Sequence, residues 1–175
     1  QEQSKDYFDE IVARMYKEFE VMLRQNNALD FDDLLLKTVF LFQRKPTVLK
    51  RYQERYVHVM VDEFQDTNLV QYELVKLLAG HHRNIAVVGD PDQSIYSWRA
   101  ADLRNVLNFE QDFPGTKVHV LGQNYRSTAK ILEAASGIIA DNRARKDVKL
   151  WTDNEPGDQV CLIEAYNEQE EAQIV

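Results

Sequence analysis

The stretch Val57-His58-Val59-Met60-Val61-Asp62-Glu63-Phe64-Gln65-Asp66-Thr67 decides the fold of this chain. Its apolar run has the length of a buried strand and ends in two adjacent carboxylates, Asp62 and Glu63. Neighbouring side chains of a strand point to opposite faces, so both carboxylates can serve one site only where the strand ends and the backbone turns. There, one carboxylate can hold Mg²⁺ while the other orients and deprotonates the water that attacks a nucleoside triphosphate. Solvated strand ends also carry acidic pairs, so these residues alone leave both interpretations open.

Helices precede this stretch, and helices alternate with strands after it. Apolar residues spaced by three and four predict a helix over 7–25, and a second helix begins near Leu29 with Asp30 or Asp32 as its N-cap. Periodicity predicts further helices over 47–56, 69–78, 101–109, 128–140 and 168–175, and strands over 57–61, 85–89, 118–121 and 160–164. Strands separated by helices predict an α/β fold in which helices cover a parallel sheet.

Composition narrows the class of protein. The 175 residues, 44% hydrophobic and 29% charged, are enough to bury the core of one domain or somewhat more. No apolar run approaches the roughly 20 residues of a membrane span, so a membrane partner is not expected. Cys161 is the only cysteine, which predicts a reducing, cytoplasmic location without an internal disulfide. The net charge of −8 argues against blanket neutralisation of nucleic-acid phosphates, so any DNA contact must be local.

Polar segments follow each of the first three predicted strands, at 62–66, 89–99 and 122–127. Ligands of open parallel sheets bind beyond the carboxyl ends of the strands. The Gln93 amide can donate and accept hydrogen bonds at a phosphate or its attacking water, and Arg126 offers a planar fork of donors to phosphate oxygens. Flat faces suited to base stacking belong to Tyr96, Trp98 and Tyr125. Trp98 fits equally well as a core aromatic beside Ile95.

Three segments together resemble the UvrD/Rep/PcrA-like superfamily 1 DNA helicases. They are Val-Asp-Glu-Phe-Gln-Asp-Thr at 61–67, Val-Val-Gly-Asp-Pro-Asp-Gln-Ser-Ile-Tyr-Ser-Trp-Arg-Ala-Ala at 87–101 and Leu-Gly-Gln-Asn-Tyr-Arg-Ser at 121–127. Their order and spacing match the family, as does Phe31–Leu35, and the resemblance extends from about Phe19 to the end. It implies a RecA-like P-loop NTPase fold, with residues 1–120 in the C-terminal part of the first motor domain and 121–175 at the start of the second.

The resemblance also implies roles for the first segment. Asp62 would bind Mg²⁺ as the Walker B aspartate, and Glu63 would be the catalytic base. Gln65 and Asp66 would complete the nucleotide-binding motif and help to couple the nucleotide state to the DNA site.

The other two segments receive roles in the same way. Asp90 would support the loop in which Gln93 senses the γ-phosphate. Tyr125 would stack on the adenine, and Arg126 would contact the γ-phosphate from the second motor domain. Residues that would face single-stranded DNA are Tyr96, Trp98 and Arg99, with Trp98 stacked on a base.

The implied function is an ATP-dependent 3′-5′ DNA helicase or translocase of DNA repair or replication. ATP and Mg²⁺ would be its cofactors, and single-stranded and duplex DNA its partners. Two alternatives remain: the motor part of a RecB/AddA-type helicase-nuclease, and a non-catalytic helicase-like interaction module.

One departure from the family pattern affects what the chain can do alone. The 175 residues contain no Gly-x-x-x-x-Gly-Lys-Ser/Thr loop, the element that cradles phosphates. We therefore expect a central fragment of a larger motor, with further N-terminal and C-terminal parts, rather than a naturally degenerate relative. By itself the fragment is expected neither to hydrolyse ATP nor to unwind DNA.

Overall fold

A computed structural model describes residues 7–142 and 148–175, which fall into two compact units divided between Phe113 and Pro114. The elements of the first unit are α1 (Tyr7–Gln25), α2 (Phe31–Arg44), α3 (Pro46–Arg55), β1 (Val59–Val61), α4 (Leu69–Ala79), β2 (Ile85–Val87) and α5 (Arg104–Asp112). Those of the second unit are α6 (Ala129–Ile139) and α7 (Glu168–Ile174). Single 3-10 turns occur at Phe64–Asp66, Pro91–Gln93 and Ser97–Arg99. None of the described helices combines the length and apolarity that a bilayer crossing requires.

Local sequence signals set the ends of the first helices. The predicted helix over 7–25 is confirmed as α1. Asp30, rather than Asp32, is the N-cap of α2, because its side chain accepts a hydrogen bond from the Asp33 backbone N–H at 2.7 Å. Pro46 is the first residue of α3, where its missing N–H has no intrahelical partner to lose.

The two described strands form a parallel pair. Val59, Met60 and Val61 of β1 lie opposite Ile85, Ala86 and Val87 of β2. The crossover between them contains α4, as parallel strands require. The fold is therefore a mixture of helices and strands with a small parallel sheet, which confirms the predicted parallel arrangement at this level.

The core of the first unit lies on one face of this sheet. Four strand residues, Val59, Val61, Ile85 and Val87, pack there against buried side chains. These belong to the turn after β1, to α4, to α5 and to the residue that caps α5: Phe64, Tyr72, Ala79, Phe109 and Phe113. The ring of Phe64, only 1% exposed, meets the rings of Tyr72 and Phe109 edge-on at 5.5 Å each. Burial, together with the hydrogen bond that its hydroxyl donates to Asp112, raises the pKa of Tyr72.

Two predicted strands are wrong. Residues 118–121 and 160–164 carry no strand pairing in the described part of the chain, and most of their apolar side chains are more than half exposed, as Val120 (61%) and Leu162 (99%) show. Apolar alternation favours a strand only where a neighbouring strand accepts its backbone hydrogen bonds. In the second unit the described pairing is a single parallel bridge between Gln123 and Trp151.

Helix α5 begins three residues later than the predicted Ala101. Ala100 adopts a left-handed backbone conformation (φ 62°), and the Asp102 N–H donates to the Thr67 carbonyl oxygen at 3.0 Å. The backbone before Arg104 is therefore used in tertiary contacts rather than in a helical turn. The Arg104 guanidinium donates to Asp102 and lowers the pKa of that carboxyl.

Candidate functional site

The chain turns sharply where β1 ends, and we call Asp62–Asp66 the acidic turn. Glu63 adopts a left-handed conformation (φ 48°), which is uncommon for a residue with a Cβ atom. The next residue, Phe64, donates its backbone N–H to the Val88 carbonyl oxygen at 2.9 Å, beside the end of β2. The turn therefore leaves the carboxylates of Asp62 and Glu63 exposed while it buries Phe64.

Gln65 is the buried link between the ends of the two strands. Its side chain is only 1% exposed, so both polar atoms of its amide need partners. The Gln65 Nε2 donates to Glu63 Oε2 at 2.8 Å, and the Asp90 backbone N–H donates to Gln65 Oε1 at 3.0 Å. One amide thus orients the Glu63 carboxylate and holds the loop that follows β2.

Asp90 extends this network to Gln93. Its Oδ1 accepts the Asp92 backbone N–H at 3.0 Å, and its Oδ2 accepts Gln93 Nε2 at 2.7 Å. A continuous series of hydrogen bonds therefore runs from Glu63 through Gln65 and Asp90 to Gln93. The structure brings together these four residues, each selected from the sequence.

Gly89 permits the close approach of the two strand ends. A Cβ atom at this position would lie 2.6 Å from Gln65 Oε1 and 3.2 Å from the backbone nitrogens of Phe64 and Gln65. Real Cβ atoms do not tolerate the first of these distances. A side chain at residue 89 would therefore displace the Gln65 amide.

Replacing Gly89 by alanine is expected to lower the free energy of unfolding by about 1–3 kcal/mol, the usual cost of overpacking a tight site. Gly137→Ala is the matched control. Among the described residues, no atom outside the α6 backbone lies within 4 Å of the added Cβ there, and α6 should gain up to about 1 kcal/mol in helix propensity. Chemical denaturation of both variants measures their free energies of unfolding. Equal stability of the two would contradict the close approach of residue 89 to Gln65.

Two aromatic side chains and an arginine follow on the loop after β2, and we call Ile95–Arg99 the aromatic turn. The rings of Tyr96 and Trp98 lie 6.0 Å apart. The Arg99 guanidinium carbon lies 5.6 Å from the Tyr96 ring centroid and 5.4 Å from that of Trp98. Trp98 is 75% exposed and Ile95 69%, so the interpretation of Trp98 as a core aromatic is wrong. Exposed rings next to a cation offer both stacking surface and positive charge.

Tyr125 and Arg126 lie in the second unit, where a small polar network surrounds them. The Tyr125 hydroxyl donates to Gln123 Oε1 at 2.7 Å, and Gln123 Nε2 donates to Asp153 Oδ2 at 3.1 Å. Asn124 Oδ1 accepts the Arg126 backbone N–H at 2.9 Å. Both predicted side chains are exposed within their unit, so they are accessible to a ligand.

The described residues fit a magnesium ion only in part. Across residues 7–142 and 148–175, no three His, Cys, Asp or Glu side chains gather closely enough to hold a metal. Mg²⁺ does not need such a cage, since it commonly takes one or two carboxylates and completes its shell with water and phosphate oxygens. The exposed carboxylate of Asp62 is suited to that task. Asp66, by contrast, has a buried Oδ1 with no hydrogen-bond partner among the described residues.

Two residues of this region were missed in the sequence. Gly89 stands at the start of the polar segment at 89–99, but nothing local in the sequence indicates how closely it packs. Asn105 is 3% exposed and donates a hydrogen bond to Thr67. It lies one helical turn before the core residue Phe109, on the same face of α5. A polar residue on the apolar face of a predicted helix is the signal that would have identified it.

Comparison with known proteins places both units in one family. The sequence model of the UvrD/REP helicase N-terminal domain matches residues 1–114, and that of the UvrD-like helicase C-terminal domain matches residues 119–175. Proteins named ATP-dependent DNA helicase PcrA from Staphylococcus epidermidis and Staphylococcus aureus are each 49% identical over all 175 residues. The chain spans 24% of the length of each of these relatives. Because the first of these family models covers more than half of the chain, the chain belongs to the UvrD/REP helicase family.

Proposed function

We propose that these residues form part of an ATP-dependent DNA helicase that couples ATP hydrolysis to movement along single-stranded DNA. The observation that carries the proposal is the hydrogen-bonded series from Glu63 to Gln93, which ends close to the exposed aromatic turn. Family membership and the names of the similar proteins, ATP-dependent DNA helicase PcrA, support it. A RecA-like fold, with motor domains over 1–120 and 121–175, is part of the same proposal.

In this proposal the acidic turn carries the hydrolytic chemistry. The Glu63 carboxylate takes a proton from the attacking water, and the Gln65 amide holds that carboxylate in place at 2.8 Å. Asp62 would hold Mg²⁺, whose chemistry is to neutralise charge that develops on the phosphate oxygens. Gln93, whose amide donates to Asp90 at 2.7 Å, would hydrogen-bond the terminal phosphate.

The second unit would supply the remaining nucleotide contacts. Tyr125 offers its ring to the adenine base, and its hydroxyl is already held by Gln123. Arg126 offers the planar donor fork that stabilises charge on a transferring phosphoryl group. These roles rest on the family resemblance together with the exposure of both side chains.

The aromatic turn is proposed to contact DNA. Its exposed rings suit stacking on the bases of a single strand, and Arg99 adds one positive charge to a chain whose net charge is −8. Such local contacts agree with an acidic protein better than a broad basic surface would. In this proposal, movement from 3′ to 5′ and a role in repair or replication rest on the family resemblance, and a cytoplasmic location rests on the single cysteine, Cys161.

Replacing Trp98 by alanine in the full-length protein is expected to raise the Kd for a single-stranded oligonucleotide by roughly 5- to 150-fold. Stacking on one base contributes about 1–3 kcal/mol, and the exposed ring contributes little to folding. Fluorescence anisotropy measures the Kd. Trp98→Phe, which retains a ring, should recover most of the affinity. A lowered melting temperature with unchanged Kd would instead assign Trp98 to folding.

The function itself is tested by ATP hydrolysis of the full-length protein with and without single-stranded DNA. We expect hydrolysis that depends on Mg²⁺ and rises when the oligonucleotide is added. Strand displacement from a duplex with a 3′ tail, but not from one with a 5′ tail, would support the direction of movement. A protein that binds DNA without hydrolysing ATP would favour the interaction-module alternative.

A further inference from the structure

The aromatic turn is attached near both of its ends to the segment that follows β1. At its start, the Ser94 hydroxyl donates to the Gln65 carbonyl oxygen at 3.4 Å. Beyond its end, Ala101 forms an antiparallel bridge with Asn68. A displacement of residues 65–68 would therefore move the backbone near both ends of the aromatic turn.

Asn105 reinforces the second of these attachments. Its side-chain Nδ2 donates to the Thr67 carbonyl oxygen at 3.0 Å, the same oxygen that accepts the Asp102 N–H. The same Nδ2 lies 3.3 Å from Thr67 Oγ1, and that hydroxyl donates onward to the Phe64 carbonyl oxygen at 2.7 Å. The Asn105 amide thus contacts two oxygen atoms of Thr67, and the hydroxyl route continues to Phe64 of the acidic turn.

Helix α5 contacts the chain after β1 in two different ways, through an apolar ring and through a buried amide. Phe109, one helical turn after Asn105, meets the Phe64 ring edge-on at 5.5 Å. That apolar contact stabilises packing but tolerates small shifts, because dispersion has little directionality. The Asn105 amide, at 3% exposure, is costly to bury unless its hydrogen bonds are made. Together with the bond from the Asp102 N–H, its bonds therefore define the position of Thr67 relative to α5.

We propose that Asn105 is a positioning residue that couples the acidic turn to the aromatic turn through its hydrogen bonds to Thr67. The inference rests on the proposed function, in which the first turn faces the nucleotide and the second faces DNA. Asn105 is buried and belongs to neither turn. Its removal should leave both sites intact while it weakens the effect of one on the other.

The test replaces Asn105 by alanine in the full-length protein. The ratio of DNA-stimulated to basal ATP turnover should fall by at least about fivefold, within the 5- to 150-fold range of ordinary coupling between sites. Basal turnover, the KM for ATP and the Kd for single-stranded DNA should each stay within about twofold, since the Asp102 N–H still occupies the Thr67 carbonyl oxygen. A purely structural role would lower basal and stimulated turnover together.

Asn108→Ala is the matched control, because Asn108 lies on the same helix and is exposed. The ratio of DNA-stimulated to basal ATP turnover of this variant should equal that of the wild type. Should Asn105→Ala fail to fold, Thr67→Val removes the hydroxyl route and keeps the carbonyl, so it must also lower the ratio. A folded Asn105→Ala or Thr67→Val protein with the wild-type ratio overturns the inference alone. A wild-type protein without DNA-stimulated turnover overturns the proposed function, and the inference with it.

Discussion

Glu63→Gln is expected to lower DNA-stimulated ATP turnover of the full-length protein by roughly 10²- to 10⁴-fold, the usual contribution of a positioned general base. The amide cannot take a proton from the attacking water. Its oxygen can still accept the hydrogen bond that Gln65 Nε2 donates to Glu63 at 2.8 Å. The substitution therefore removes the chemistry and preserves the network that reaches Gln93.

Steady-state hydrolysis and ATP binding, measured side by side, check this expectation. Glu18→Gln serves as the control, because it removes one negative charge from the exposed surface of α1. ATP affinity of the Glu63 variant should change little. Turnover that survives Glu63→Gln would exclude Glu63 as the base and leave the acidic turn with a binding role.

Arg126→Ala is expected to slow hydrolysis by roughly 10³- to 10⁵-fold at saturating ATP, the range found for arginines that stabilise a transferring phosphoryl group. ATP affinity should fall much less, because the guanidinium acts mainly on charge that develops in the transition state. Single-turnover hydrolysis and equilibrium ATP binding separate the two effects.

Lys130→Ala provides the matched control for Arg126, since it removes a positive charge four residues away in the same unit. Lys130 is engaged by Glu133 at 3.2 Å and should contribute little to turnover. Arg126→Lys keeps the charge but loses the planar fork, so only a small part of the rate should return. An equal loss of binding and of hydrolysis in Arg126→Ala would indicate ground-state binding alone.

Sequence signals between neighbouring residues were sufficient to predict where most of the helices lie. The apolar spacing of residues 7–25, the Asp30 cap and the early Pro46 act within one or two turns of chain, so the sequence alone predicts α1 to α3 closely. The same holds for α4, whose Asn68 and Gln71 form a capping box with each other. These interactions depend on residues a few positions apart and on no distant partner.

Long-range contacts explain where the sequence predictions were wrong. Helix α5 starts late because the Asp102 N–H bonds to Thr67, which lies far away in the chain. Residues 118–121 and 160–164 have the composition of strands, but the described residues supply them with no pairing partner. Periodicity reports which face of a segment is apolar and cannot report what lies next to it.

The sequence by itself determined the residue types of the candidate site and their order, since Asp62, Glu63, Gln93 and Arg126 stand in recognisable motifs. Only the tertiary structure decided how Glu63 and Gln93 are connected. The connection needs a buried Gln65 amide bonded to two strand ends and a glycine at residue 89 that lets them approach. Such contacts join residues about 25 positions apart, and parallel pairing of β1 with β2 is what brings them within hydrogen-bond distance.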